Sequence, residues 1–241
     1  MSPHLDDAVL SCFSALGPGT VVLTVFAGLP SIATLGAWDA KTGATDSRIR
    51  VAERRVEDQR ATGLAGCDHV HLDFEDSQYW RRTGLKGLIK RAGSQPPSLN
   101  VLVDALRAEV EGARVVYAPA GIGNTQHSLV RDATIAIRED ISLYADIPYV
   151  LGVAAEDLEL PPSLINRPHR RRDEILRGER AALKVRATLC YTTQIAALES
   201  AFGPFVRSER YVREVIWDLE TRHRNVTRDI PESSPSFGPL S

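Results

Sequence analysis

Two short stretches of this 241-residue chain carry side chains able to hold a metal ion and move a proton. The first is Met1-Ser2-Pro3-His4-Leu5-Asp6-Asp7, where a histidine and two adjacent carboxylates fall close together. An imidazole and a carboxylate suit Zn²⁺, and a second carboxylate beside the ion can act on a water. Taken alone, His-x-Asp-Asp reads equally as a charged turn capping a helix. The apolar run Ala8-Val9-Leu10-Ser11-Cys12-Phe13 follows. It reads as the start of a buried helix with Asp6 or Asp7 near its N-terminus, where carboxylates are favoured. The second stretch runs from Ala118 to Ala133. There a buried strand ends, Gly121 and Gly123 permit close backbone approach, and His127 stands at the mouth of a helix. A histidine from this stretch would complete a two-His, one-carboxylate set around an open position, as a catalytic zinc requires.

The elements that must position these residues alternate between strand and helix. Asp7 to Leu16 reads as a helix, stopped by Gly17-Pro18-Gly19. Thr20 to Ala27 is a nearly continuous β-branched run, the mark of a strand buried on both faces of a parallel sheet. A long loop spans Gly28 to Ser47, and apolar residues at helical spacing predict a helix over Arg48–Leu64. Val70 to Phe74 alternates like a strand, Ser77 to Pro97 is irregular and basic, and Leu99 to Val110 is helical. Arg114 to Ala118 is a short buried strand, followed by a helix from about His127 to Ile141. Pro148 to Leu151 reads as a brief strand, Arg171 to Leu189 and Gln194 to Phe202 as helices, and Glu209 to Trp217 as a final strand. This alternation predicts a parallel sheet covered by helices on both faces, with the site beyond the carboxyl ends of the strands. The domain is expected over residues 1–224, with a Pro/Ser-rich C-terminal tail over 225–241. A loop bearing His4 should be fed by a strand, yet the sequence opens on the loop itself. The sheet position beside Thr20–Ala27 is therefore expected to be vacant or filled by another segment. The natural gene is expected to encode about six to ten more apolar residues upstream.

Composition narrows the function. The chain is 43% hydrophobic and 25% charged, an ordinary globular balance, and its formal net charge of −2 gives no reason to expect nucleic acid or an anionic membrane as partner. No apolar run approaches the roughly 20 residues of a membrane span. No basic segment precedes an apolar one at the start, so a signal peptide is not expected. Cys12, Cys67 and Cys190 are scattered and read as reduced core thiols of a cytoplasmic protein.

The ordered set of motifs resembles the PIG-L/LmbE-like family of zinc-dependent N-deacetylases. It comprises Ser2 to Ser11, Thr24 to Gly28, Trp38-Asp39, Arg54 to Asp58, His71 to Phe74, Pro119 to Ala133, Tyr144 to Tyr149, and Lys184 with Tyr191 to Gln194. The resemblance implies a Rossmann-like three-layer α/β fold with a mostly parallel sheet, from which the first strand is missing. It implies a mononuclear metal held by His4, Asp7 and His127, with Asp6 as general base and Zn²⁺ as the ion, although Fe²⁺ fits the same ligands. The implied substrate is a small molecule, an N-acetylated amino sugar or related amide of a bacterial biosynthetic pathway.

One motif departs from the family. Its usual His-x-Asp-His reads Asn124-Thr125-Gln126-His127, and the loop before it looks one residue short. Asparagine can donate a hydrogen bond to an oxyanion but cannot deliver a proton. Asn124 is thus the second catalytic candidate. The departure also opens two other readings: a catalytically impaired member serving as a binding or regulatory protein, or an enzyme of altered chemistry. Asn124 and Gln126 could instead simply shape the turn.

Substrate contact is assigned to Trp38, Asp39 and Arg54. An aromatic beside a carboxylate suits a sugar ring. Arg54, Arg55, Glu57 and Asp58 otherwise read as a solvated helix face, one arginine of which could orient an active-site carboxylate. His69 and His71 share a strand face but have no third ligand in view, and read as structural. Tyr144 and Asp146 read as braces for the loop before Pro148.

Overall fold

A computed structural model describes residues 1–32, 35–83, 90–91 and 93–221. The Pro/Ser-rich tail expected over 225–241, and part of the irregular segment expected over 77–97, lie outside the described residues.

Local signals set the long helices. Helix α3 (Ser47–Ala65) starts where the Asp46 carboxylate accepts from the amides of Arg48 and Ile49, and stops at Gly66, whose φ of 77° is left-handed. In α4 (Leu99–Gly112), Leu102, Leu106 and Val110 recur every four residues and are all buried. Helix α5 (Thr125–Ile137) is capped by Asn124, whose side chain accepts from the amide of Gln126. Helices α1 (Asp7–Ser11), α2 (Ala37–Lys41), α6 (Gly178–Thr188) and α7 (Ile195–Phe202) complete the set.

The sheet is mixed. Strands β1 (Val21–Thr24) and β2 (Asp68–His71) pair in parallel, with Val21 opposite Asp68. Strands β5 (Tyr117–Pro119) and β6 (Ser142–Tyr144) also pair in parallel. Strand β8 (Arg213–Leu219) runs antiparallel to β6, and β7 (His169–Ile175) antiparallel to β8 at the edge. A small antiparallel pair, β3 (Arg82–Thr83) and β4 (Lys90–Arg91), stands apart. One core packs α4 and α5 residues such as Leu106 and Val130 under Leu143 and Trp217. A second packs α1, α3 and α6 residues, including Val9, Ala61 and Ala187, against Val22. The result is three layers, helix, sheet and helix, with the parallel pairs on the side of the His4 loop.

Ser2 bridges Thr24 in parallel, and the Met1 amino group donates to Tyr117 O at 2.6 Å. Residues 1 and 2 thus stand between β1 and β5. Below them lies a cavity of about 640 Å³ walled by Val21–Leu23 on one side and Val115–Tyr117 on the other.

Several expected elements differ. The segment expected to be one helix over Arg171–Leu189 is strand β7 followed by α6. Its charges alternate across the strand: Arg170 and Arg172 meet Asp218, while Asp173 meets Arg171 and Arg213. Those cross-strand partners on β8 are more than forty positions away in sequence for Arg172 and Asp218, so no local window reveals them. Pro148 to Leu151 forms turns rather than a strand. The loop expected over Gly28–Ser47 contains α2, and Glu209–Val212 is a short 3₁₀ turn before β8 begins at Arg213. Strand β6 was not expected: it begins directly after the helix the sequence predicts as far as Ile141.

Candidate metal centre

The turn from Ser2 to Asp7 is braced by its own polar groups. Ser2 Oγ donates to His4 O at 2.6 Å and accepts from the amide of Ala8 at 3.1 Å. The Asp7 carboxylate accepts from the amide of His4 at 2.8 Å. These bonds tilt the His4 ring over Asp7, with Nδ1 3.0 Å from Asp7 Oδ2. Asp6 is the N-cap residue of α1, yet its side chain makes no capping bond. It lines the pocket beside His4 and Asp7.

The other half of the centre comes from the end of β5. Gly121 and Gly123 both have left-handed backbones, at φ 81° and 79°. A side-chain carbon at Gly123 would lie 2.8 Å from the Tyr149 ring. The loop can therefore pass close under Tyr149 and deliver His127 at the first turn of α5. The His127 Nε2 then lies 3.2 Å from His4 Nδ1 and 3.2 Å from Asp7 Oδ2. Three donors from two distant segments thus converge, all buried. Donors on a tetrahedral zinc lie roughly 3.3 Å apart, given bonds near 2.0–2.1 Å. The observed separations and the two-nitrogen, one-oxygen chemistry fit a divalent ion.

Each imidazole is held from behind. His127 Nδ1 lies 2.6 Å from Asp146 Oδ1, and the other Asp146 oxygen accepts from the amide of Ile122 at 2.8 Å. His4 Nε2 lies 3.1 Å from Gln126 Oε1. Such partners fix the tautomer and orientation of ligating histidines. The Gln126 amide also neighbours Asp76 and Ser77. With its ends exchanged, its nitrogen donates to Asp76 Oδ1 at 3.1 Å and its oxygen accepts from the amide of Ser77 at 3.1 Å. The two orientations go with the two tautomers of His4. A ligand on Nδ1 leaves the proton on Nε2, which needs Gln126 Oε1 as acceptor.

Electrostatics separate the neighbouring carboxylates. Burial, then Asp7, push Asp6 up to about 6, against the nearby Arg54 cation. Asp7 is also buried, but His127 and His4 hold its carboxyl well below the usual range. Burial opposes charge on His127, yet Asp7 and Asp146 raise it to about 10. Asp7 and His127, 3.2 Å apart, form an ion pair. Asp6 is the carboxylate whose protonation is set near neutrality, a property suited to a general base.

Solved structures share this architecture. The zinc-inhibited form of a teicoplanin deacetylase superposes with a TM-score of 0.71 at 23% identity, over 91% of this chain and 96% of that one. A deacetylase–bog complex from the teicoplanin biosynthesis pathway gives a TM-score of 0.71 at 26% identity, with the same coverage of 91% and 96%. The chain shares its fold with these deacetylases. The A40926 pseudoaglycone deacetylase gives a TM-score of 0.66 at 26% identity, over 91% of this chain and 95% of that one. In sequence, 2'-N-acetylparomamine deacetylase of Niallia circulans is 35% identical over 35% of this chain, a match that spans 38% of the relative's length. No protein-family model matches the chain.

Around this candidate centre, the remaining sequence candidates fall into two groups. Trp38, Arg54 and Asn124 line the pocket with His4, Asp6 and Asp7. Trp38 is pinned by its Nε1 donating to Gln194 at 2.7 Å. Arg54 is buried, with Nη2 4.0 Å from Asp6 Oδ1. Asn124 Nδ2 donates to the Tyr149 hydroxyl at 3.0 Å. Asp39, by contrast, is fully buried, bound to Tyr79 and Gln78, and braces the loop instead of facing the pocket. A carboxylate without solvent access cannot meet a sugar, so its expected substrate contact gives way to a structural one.

The expected solvated face of α3 is also a correction. Arg54, Glu57 and Asp58 are all buried. Glu57 accepts from Thr192 and Thr193, and Asp58 from Tyr191 and the His71 ring. Those partners explain why a polar helix face points inward. Sequence reasoning missed Gln126 as a partner of His4, together with the pocket residues Asp76, Tyr149 and Phe202. Asp146, read there as a loop brace, does brace the loop through Ile122, and it also holds His127.

Proposed function

We propose that the chain is a metal-dependent amide hydrolase, an N-deacetylase of an acetylated amino sugar or related amide in a biosynthetic pathway. The convergence of His4 Nδ1, Asp7 Oδ2 and His127 Nε2 beside an uncoordinated Asp6 carries this reading. The deacetylases among its relatives support the same chemistry.

A divalent ion held by those three residues would acidify a water and polarise the amide carbonyl. Zn²⁺ is the assignment, and Fe²⁺ fits the same donors. Asp6 takes the proton of the attacking water. Arg54, 4.0 Å away, favours the ionised carboxylate and sets where it points. The same Asp6, once protonated, is the group able to return a proton to the leaving amine.

Tyr149 and Asn124 together replace the imidazole expected at position 124. The Tyr149 hydroxyl accepts from Asn124 and stands edge-on to His127, ring centroids 5.5 Å apart. Its own proton is then directed by Asn124 and can donate to an oxyanion in the pocket. Burial keeps this phenol protonated well beyond its ordinary range. Trp38 and Phe202 on the pocket rim suit the apolar face of a sugar or its substituent. A base held free beside a complete ligand set favours turnover over a binding-only role.

The test is metal content of the purified protein together with acetate release from N-acetylated amino sugars. One divalent ion per chain and acetate release dependent on it are expected. A chain that binds no ion, or releases acetate equally well after chelation, overturns the reading.

A further inference from the structure

Trp38, a pocket residue on α2, hangs from a chain of hydrogen bonds that runs back into the body of the protein. Its indole Nε1 donates to Gln194 Oε1 at 2.7 Å. Gln194 Nε2 donates to Thr193 Oγ1 at 2.8 Å, and Thr193 Oγ1 donates to Glu57 Oε2 at 2.7 Å. The other Glu57 oxygen accepts from Thr192 Oγ1 at 2.7 Å and from the amide of Thr193 at 2.8 Å. Gln194 and Glu57 are both buried.

The chemistry of these groups leaves the chain one direction. An indole nitrogen only donates, so the oxygen of Gln194 must face it. The Gln194 amide nitrogen is then turned to Thr193, whose hydroxyl oxygen accepts and whose single proton must go elsewhere. That proton goes to the Glu57 carboxylate, which accepts and closes the chain. Buried polar chains of this kind act as a unit, because a member facing the wrong way leaves a partner unsatisfied. Glu57 thus decides, from three hydrogen bonds away, where the Trp38 N–H points.

Within α2 the ring has another hold, the Lys41 ammonium 5.1 Å from its centroid. A cation over a ring face is indifferent to where the N–H lies in the ring plane. The bond to Gln194 therefore sets that orientation. With its N–H committed to Gln194, Trp38 offers the pocket apolar ring. Two more apolar side chains share the anchor. Gln194 is the N-cap residue of α7, its carbonyl accepting from the amide of Leu198 at 3.0 Å. Leu198 and Phe202 of that helix line the same cavity of about 460 Å³ as His4, Asp6 and Asp7. The cavity is therefore polar where an amide would react and apolar where α2 and α7 contribute. Its size is that of a small-molecule site, roughly 300–1,000 Å³.

We infer that Glu57 and Gln194 are positioning residues for Trp38, and that the plate they hold makes the site prefer sugar amides bearing a flat apolar substituent over the bare sugar. The inference deepens the deacetylase reading and rests on it for the reacting end of the substrate. Neither Glu57 nor Gln194 lines the pocket, and both act through the indole.

The test uses the full chain and the variants Gln194→Leu, Glu57→Gln, Trp38→Phe and Trp38→Phe/Gln194→Leu. Glu57→Gln is nearly isosteric and changes only the polarity of the chain. One placement of the new amide opposes the Thr193 N–H; the other leaves the Thr193 hydroxyl proton without its acceptor. Two quantities are measured. The first is solvent exchange of the Trp38 indole proton by NMR, assigned with Trp38→Phe and referenced to Trp217. The second is the affinity for the phenyl and methyl β-glycosides of N-acetylglucosamine.

Gln194→Leu and Glu57→Gln are each expected to speed exchange at Trp38 by about 10- to 100-fold while Trp217 is unchanged. The parent should hold the phenyl glycoside about 10-fold tighter than the methyl one, and Gln194→Leu should cut that preference to about 2-fold. The double variant should lose no more of it than Trp38→Phe alone, because Gln194 works through the ring. Should Gln194→Leu not fold, Glu57→Gln reads the same proton and the same preference. Unchanged exchange at Trp38, a parent without phenyl preference, or losses that add in the double variant would each overturn the inference. A phenyl preference without acetate release sustains the positioning and fails the deacetylase reading; acetate release without the preference does the reverse.

Discussion

Gln126 lies 3.1 Å from His4 Nε2, on the ring edge opposite the one that meets Asp7 and His127. Gln126, one of the two departures from the expected His-x-Asp-His pattern, thus contacts the first motif, 122 positions away. Replacing it with Leu leaves the imidazole proton without an acceptor. Gln126→Leu should weaken metal binding by about 10- to 100-fold, the usual cost of losing such a partner. Titration calorimetry of the metal-free protein checks this. Affinity equal to the parent's would show that the contact orients nothing.

His127→Ala removes a donor outright and should lose most of the bound ion. Asp146→Asn keeps the ring but removes the charge 2.6 Å behind it, and should fall between the parent and His127→Ala. Metal content by mass spectrometry ranks the three. Full metal retention in His127→Ala would refute the ligand assignment.

Asp6→Asn is nearly isosteric and leaves His4, Asp7 and His127 untouched. It should retain the ion yet lower kcat by about 100- to 10,000-fold, the typical worth of a general base. An active variant would move the base elsewhere.

The pH dependence follows from the same carboxylate. Burial beside Asp7 raises Asp6 to about 6, and the base acts only when ionised. Activity should be full above that pH and fall about tenfold per unit below it, as the protonated form accumulates. Asn124 does not titrate, and the phenol of Tyr149 is shifted upward, so no imidazole limb is expected on the alkaline side. Asn124→His should help little, because Gln126 cannot support an imidazolium as an aspartate would. A bell-shaped profile with an upper limb near 7 would reveal a separate acid.

Gly123→Ala tests the loop. Its φ of 79° costs an alanine about 1–2 kcal/mol, and the new methyl would press on Tyr149. The variant should melt lower and lose activity beyond its loss of stability, since the Tyr149–Asn124 pair moves with the ring. Unchanged kcat would separate Tyr149 from the chemistry.

The sequence by itself determined the class of fold and pointed to the candidate site residues. His4, Asp6, Asp7 and His127 were picked out as candidates because the order of motifs along the chain resembles a known deacetylase family, the tetrapeptide alone being a weak signal. The helices α3, α4 and α5 were legible because their apolar period and caps are local. Only the tertiary structure decided which groups support the site. Gln126 reaches His4, Asp146 reaches His127, and Arg54 reaches Asp6 through space that no sequence window spans. It also made α3's polar face interior, by placing Thr192, Thr193 and Tyr191 opposite Glu57 and Asp58. Strand β7 was hidden for the same reason. A charged run looks like a solvated helix until a partner strand supplies Asp218 and Arg213 across from it. Propensity and period act over a few residues, whereas pairing and charge compensation are settled by whichever distant segment the fold brings alongside.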